Sequence, residues 1–163
     1  MAYLLDANVF MQAKNLHYGL DFCPAFRDWL MSSHAAATVF SVEKVSDEIQ
    51  AGADELAAWA AALPPGFFLS PDPTVLPALG AVSNWATGNR YEPASISTFF
   101  PVADYYLVAQ ALSGGYTVVT HEQASGSTRR IKIPDACLGL GVKCVTPFEM
   151  LRRERARFVP GPQ

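Results

Sequence analysis

Short apolar segments alternate along this chain with longer segments of helical periodicity, and this alternation constrains the fold most strongly. In chain order, the predicted strands are Tyr3–Asp6, ATVFSV, FFLS, YTVVT, RIKIP and VKCVT. The helical segments between them include VEKVSDEIQ, ELAAWAAAL and VADYYLVAQALSGG. Strands that alternate with helices favour a mainly parallel sheet with helices on both faces. The sequence therefore predicts an α/β fold.

Length and composition limit the class of protein. The 163 residues suit a single domain, which we place at 1–158 with a tail at 159–163, and 50% hydrophobic residues can form a sizeable core. A net charge of −3 argues against a basic nucleic-acid binder of the usual kind, but a nuclease site built from carboxylates is itself acidic. The chain shows no signal peptide and no membrane-length apolar run, so we expect a cytoplasmic protein.

The cysteines do not indicate a disulfide framework. Their number is odd, they form no CxxC motif, and they are Cys23, Cys137 and Cys144. We therefore expect reduced thiols and no zinc site.

Several acidic residues end or follow predicted strands, at positions where open α/β sheets bind their ligands. Such sheets bind ligands at the carboxyl ends of their strands, near the point where strand order reverses. Asp6 ends the first strand, and Glu122 follows the strand that leads into Thr120. Asp6 is an equally good candidate for a helix N-cap. Asn8 could orient Asp6 or hold a metal-bound water, although a first-turn role is more typical.

Two further acids lie on predicted helices. Glu48 borders the buried stripe of its helix, while an ion pair with Lys44 at four-residue spacing is the commoner alternative. Asp104 begins a helix that is apolar nearly all round, and a buried carboxylate is costly unless it is paired or binds a metal. Its alternative role is to complement the helix dipole. The same alternative is strong for Asp135, which follows Pro134.

These motifs in this order resemble the PIN-domain family. They are LLDAN, KVSDEI, ADYYLVAQAL, YTVVTHE and GVKCVTPFEML, and they cover most of the chain. Within that family, the stretches AKN, GADELAAWA, GYTVVTHE and RIKIPDAC are similar to the group known as DUF4411.

The resemblance implies a three-layer α/β/α fold and a ribonuclease that depends on Mg²⁺ or Mn²⁺. It carries Asp6, Glu48 and Asp104 over as a metal-binding core, which we expect to converge on one pocket. PIN proteins commonly have Asp where this chain has Glu122, so either Glu122 or Asp135 would be the fourth acid. Thr120 would hydrogen-bond an acid or a water.

The resemblance also suggests partners. A basic loop would attract the RNA backbone, although a solvated loop is the ordinary alternative; its residues are Arg129, Arg130 and Lys132. Many small bacterial PIN proteins are toxins, so an antitoxin is a candidate partner. Such proteins commonly dimerise, and the mean hydropathy of +0.14 is consistent with a buried homodimer interface.

Two other functions stay open at this stage. One is a non-catalytic interaction module on the PIN scaffold. The other is a receiver-like phosphoryl-transfer domain that would use Asp6, Thr120 and Lys132, with a phosphorylated Asp near a central third strand.

Overall fold

A computed structural model describes residues 1–14 and 24–158. Five strands are described, β1 Tyr3–Leu5, β2 Val39–Val42, β3 Phe68–Leu69, β4 Thr117–Val119 and β5 Cys144–Val145. The described helices are α1 Ala7–Gln12, α2 Pro24–Ala35, α3 Glu43–Ala51, α4 Glu55–Ala61, α5 Leu76–Gly88, α6 Pro93–Phe99, α7 Ala103–Gly114, α8 Ile133–Leu140 and α9 Pro147–Arg153. A short 3₁₀ turn, Pro73–Val75, precedes α5.

The strands form one parallel sheet in the order β3-β2-β1-β4-β5. In the register, Tyr3 pairs with Val39 on one side, and Leu5 pairs with Val119 on the other. The chain adds β2 and β3 on one side of β1 and then returns to add β4 and β5 on the opposite side. The strand order therefore reverses at β1, and the crevice between β1 and β4 is where such sheets bind ligands.

Helices cover the sheet, as the alternating pattern predicted. Tyr3, Leu4 and Leu5 are all fully buried, which is typical of a parallel strand covered on both faces. The apolar helix α7 packs against β2, β4 and the neighbouring helix α5. The fold class is thus confirmed as α/β with a parallel central sheet and flanking helices, consistent with three α/β/α layers.

Several local predictions are corrected by the structure. The segment RIKIP forms no strand, because Ile133 already begins α8. The proline-rich stretch up to Pro101 favours irregular structure after a helix around residues 74–86, but it contains helix α6. Asp54 precedes ELAAWAAAL and is a candidate N-cap by residue type; it caps α4, since its Oδ1 accepts a hydrogen bond from Ala57 N at 3.1 Å.

Ser41 precedes the helical segment VEKVSDEIQ and is a candidate N-cap by residue type, but it has a different role in the structure. It is buried within β2, and its hydroxyl donates to the carbonyl of Leu5 at 2.6 Å, so Val42 occupies the N-cap position of α3.

Three further predictions concern the cysteines, a helix that begins near residue 22 and the C-terminal tail. Cys137 and Cys144 are free thiols. The apolar spacing of Phe22, Phe26 and Trp29 predicts a helix over Phe22–Ser33, and its described part lies within α2. Phe22, Cys23 and the 159–163 tail lie outside the described residues. No helix in the described part of the chain is both long and apolar enough to cross a membrane.

Helices α5 and α8 meet where the Trp85 indole covers Gly139. A Cβ added at Gly139 would lie 2.0 Å from Trp85 Nε1, so Gly139→Ala must displace the ring. Alanine favours a helix interior by about 1 kcal/mol over glycine, but we expect overpacking to dominate and to lower the free energy of unfolding by about 1–3 kcal/mol. Urea denaturation measures this difference.

Gly80→Ala in α5 is the matched control. An added Cβ there meets nothing within 4 Å, so the substitution should stabilise the protein by up to about 1 kcal/mol. The proposed packing of Trp85 on Gly139 would be wrong if the two variants were stabilised equally.

Candidate active site

Asp6 lies at the carboxyl end of β1, beside β4. Its backbone amide donates to Val119 O at 2.9 Å, and its side chain is 4% exposed. Asp6 occupies the N-cap position of α1, although its carboxylate makes no side-chain capping hydrogen bond to that helix. Instead Oδ2 accepts a hydrogen bond of 2.8 Å from the hydroxyl of Thr120. The Leu5–Val119 register places these two side chains side by side.

Thr120 is the centre of a small polar network. Its Oγ1 donates to Asp6 and accepts hydrogen bonds from Asn8 Nδ2 at 3.3 Å and from Glu122 N at 3.1 Å. Asn8 Oδ1 accepts from His121 N at 3.2 Å. Asn8 therefore supports Asp6 indirectly, by fixing the hydroxyl that contacts the carboxylate.

Glu48 and Asp104 meet at the start of α7. Asp104 is partly buried in the first turn of that helix, and Glu48 Oε1 accepts a hydrogen bond from Ala103 N at 3.0 Å. Glu48 is exposed rather than inward-facing, yet both acids line one cavity of about 490 Å³. Lys44 lies over the ring of Tyr106 instead of pairing with Glu48.

Glu122 is held by two donors. Its Oε1 accepts from Arg130 Nη2 at 3.2 Å, and its Oε2 accepts from Ile133 N at the start of α8 at 2.9 Å. The side chain is 11% exposed. These contacts turn the carboxylate that follows β4 back towards the sheet end.

Asp135 has different surroundings. Its Oδ2 accepts from Ser125 N at 3.2 Å, and its charge adds to the effect of burial in raising the pKa of Tyr91. Repulsion from Glu122, and not from Asp135, contributes to the raised pKa values of Asp6 and Asp104. The structure therefore brings Glu122 to the other acids and places Asp135 in the first turn of α8, where it contacts the loop at Ser125.

Neighbouring carboxylates contribute to raised pKa values of Asp6 and Asp104. Burial, followed by repulsion from Asp104 and Glu122, raises the pKa of Asp6 to about 8. Burial, then repulsion from Glu122 and Glu48, raises the pKa of Asp104 to about 7, while Arg130 acts in the opposite direction. Carboxylates that retain protons near neutral pH are candidates for proton transfer or for binding a cation.

We expected Asp6, Glu48 and Asp104 to converge on one pocket, and two of these three acids line the same cavity. Glu48 and Asp104 share the cavity, whereas Asp6 is linked to Asp104 by charge and does not line the cavity wall. Over residues 1–14 and 24–158, no three acids, histidines or cysteines are already gathered around a single metal position. The donor chemistry nevertheless suits Mg²⁺ or Mn²⁺, which prefer oxygen ligands.

The predicted basic residues divide into two groups. Arg129 and Arg130 line the cavity, with Arg129 Nε 3.9 Å from Glu92 Oε1. Lys132 occupies the N-cap position of α8 and does not line the cavity.

Sequence reasoning missed the opposite cavity wall, which α6 supplies. Its lining residues there are Ala94, Ser95, Thr98 and Phe99, with Glu92 immediately before the helix. The available signal was Pro93, because proline is favoured in the first turn of a helix.

The buried acids predict a pH-dependent stability in EDTA. Because the folded pKa of Asp6 lies above its ordinary value of 3.8, its stabilising effect is complete below about pH 4 and is lost as pH rises through about 8. Asp104 acts in the same direction. At pH 8, Asp6→Asn should therefore unfold with a higher free energy than the parent, by on the order of a few kcal/mol, and with a flatter pH profile.

Thermal melts between about pH 5 and pH 8.5 measure this effect. Asp135→Asn is the matched control, because Asp135 contributes to neither raised pKa. Parallel losses of stability in the parent and in Asp6→Asn would contradict the assignment of the repulsion to Asp6.

Comparison with known proteins identifies the family. No curated protein and no solved structure gives a significant match to this chain. A family model described as "Domain of unknown function (DUF4411)" matches residues 3–158. Because that match includes every described strand and helix, the chain belongs to the DUF4411 family.

Proposed function

We propose that this protein is a metal-dependent nuclease that hydrolyses phosphodiester bonds in RNA. The main support is the burial of Asp6 at the strand-order reversal under repulsion from Asp104 and Glu122, beside a cavity that Glu48 and Asp104 line. The motif order that resembles PIN domains supports RNA as the substrate. Several partly buried acids with no excess of nearby cations suit a positively charged cofactor.

The residues that would hold Mg²⁺ or Mn²⁺ are Asp6, Asp104 and Glu122, with Glu48 at the border of the site. Such an ion supplies an activated water and stabilises the negative charge that develops on the phosphoryl and leaving oxygens.

The rest of the chemistry belongs to the protein. The Thr120 hydroxyl donates to one oxygen of Asp6 and so fixes the orientation of that carboxylate before substrate binds. Arg130 lies at Glu122 with a 64% exposed side chain, so its guanidinium can also donate to a phosphate oxygen. Glu48 holds the amide of Ala103 and so positions the helix turn that carries Asp104.

A receiver-like function is less well supported. It would need a phosphorylatable acid after a central third strand. Here β3 is an edge strand that ends at Leu69 and is followed by Ser70 and Pro71. A non-catalytic module is also less well supported. Repulsion between buried acids lowers stability at neutral pH, and such a module would gain no function from it.

The central test is Mn²⁺-dependent cleavage of RNA. We expect Asp6→Asn, Asp104→Asn and Glu122→Gln each to lower the rate by about 10–100-fold or more, because even changes to groups that support metal ligands have effects of that size. Asp135→Asn should keep nearly the parent rate, because its carboxylate lies apart from the coupled acids.

EDTA distinguishes the protein's activity from a contaminating metal-independent ribonuclease. The assignment of Glu122 would be wrong if Glu122→Gln cleaved RNA like the parent while Asp135→Asn did not. Equal cleavage by the parent and by Asp6→Asn would remove the proposed function altogether.

We extend the proposal to a toxin role, with an antitoxin protein as partner, on the motif resemblance alone. Induced expression of the parent should then arrest bacterial growth, and Asp6→Asn should relieve the arrest because it lacks the central acid. Colony counts after induction measure this, with immunoblots to show equal protein levels. Arrest by both forms would assign the toxicity to something other than cleavage. Self-association as a homodimer stays a prediction.

A further inference from the structure

We propose that the cavity between α6 and residues 129–131 binds one unpaired nucleotide of the RNA, directly beside the phosphodiester to be cut. This inference rests on the proposed function and adds to it the form of the substrate and the recognition of a base.

The position of the cavity links it to the chemistry. Its volume is about 490 Å³, within the range of roughly 300–1,000 Å³ that is typical of small-molecule sites. Glu48 and Asp104 contribute to its lining, so a ligand that fills it must lie against the acids. A nucleotide in the cavity therefore places its own phosphate at the carboxylate cluster.

The two walls are fixed to each other. Glu92 N and Ser95 Oγ both donate to the carbonyl of Thr128, at 2.9 Å and 3.1 Å. These bonds tie the start of α6 to the segment that carries Arg129 and Arg130. The cavity is thus formed before a ligand arrives, which lowers the cost of binding.

The lining suits a base better than a phosphate alone. Phe99, Val102 and Ile131 give it an apolar surface. Arg129 and Arg130 add planar guanidinium groups, which stack on unpaired bases and also contact phosphates. A paired and stacked base of an A-form duplex cannot enter such a cavity, so the substrate must present an unpaired nucleotide.

Glu92 gives the cavity a preference among bases. Its carboxylate is 54% exposed, and its closest approach to Arg129 is a loose 3.9 Å, a type of surface pair that contributes little energy. A carboxylate accepts from the exocyclic amine of cytosine, whereas uracil has a carbonyl at the same position. We therefore expect cytosine to be preferred to uracil.

A pocket-filling variant tests the site. Ala94 and Thr98 are exposed, one helix turn apart on α6, and both line the cavity. Ala94→Trp should occupy the part of the cavity next to α6 and leave the acids themselves unsubstituted. Ser97→Trp is the matched control, because Ser97 is exposed on the same helix and does not line the cavity.

The measurements are fluorescence anisotropy in EDTA and cleavage in Mn²⁺. The probes are labelled octacytidylate, octauridylate and a mixed 12-mer RNA, single-stranded or annealed to its complement. For the parent and Ser97→Trp we expect octacytidylate to bind about fivefold or more tighter than octauridylate, and the duplex to be cleaved at least about tenfold more slowly than the single strand. Ala94→Trp should weaken binding and cleavage of the single strand at least about tenfold, and Glu92→Gln should reduce the preference for cytosine.

The outcomes separate the two proposals. If the parent cleaves RNA and Ala94→Trp cleaves it equally fast, the cavity is not a nucleotide site, although the nuclease function stands. If the parent binds octacytidylate in the expected way but cleaves nothing with Mn²⁺, the nucleotide site is supported and the nuclease function fails. Rapid cleavage of the duplex, or equal binding of the two octamers by the parent, would overturn the proposal of base recognition.

Discussion

The hydrogen bond from the Thr120 hydroxyl to Asp6 is the interaction on which the arrangement of the site depends. It joins the carboxyl ends of β1 and β4, the two central strands on either side of the reversal in strand order. The same oxygen accepts from Asn8 and from the amide of Glu122, so the first strand, the helix after it and the loop after β4 share one atom. A shift of register between β1 and β4 would move every one of these groups.

The electrostatics of this arrangement oppose folding. Asp6 and Asp104 both have raised pKa values because they are buried and because neighbouring carboxylates repel their charged forms. The opposing interactions are local: the hydroxyl of Thr120 lowers the pKa of Asp6, and Arg130 lowers that of Asp104. Neither abolishes the upward shift. This arrangement lowers the stability of the fold, and apolar packing elsewhere in the sheet must compensate for it.

Much of the fold was predictable because its signals are local. Alternating strands and helices indicated the parallel sheet, and the acid at the end of the first strand indicated the edge at which Asp6 lies beside Thr120. The role of Glu48 could not be predicted in this way, since its partner is the amide of Ala103, 55 residues away. Ser41 was misassigned for the same reason: its hydrogen-bond partner is Leu5 in the adjacent strand. Contacts between distant segments decide such roles, and no local pattern encodes them.

Glu122 and Asp135 differ in how the protein positions their carboxylates. Sequence position favoured Glu122, whereas rigidity at a helix start favoured Asp135. The structure gives Glu122 both properties, because its carboxylate accepts from Ile133 N at the start of α8. Glu48 is held similarly by the amide of Ala103 at the start of α7. Two of the acids are therefore positioned by helix amides, which suit negative charge, so their placement needs no bound metal. An ion that entered would meet carboxylates already held in position by protein donors and would have to share them. Under the proposed function, a cation at Glu122 and a phosphate at Arg130 would each weaken the ion pair between these two side chains, so the binding of cation and substrate would be linked through that pair.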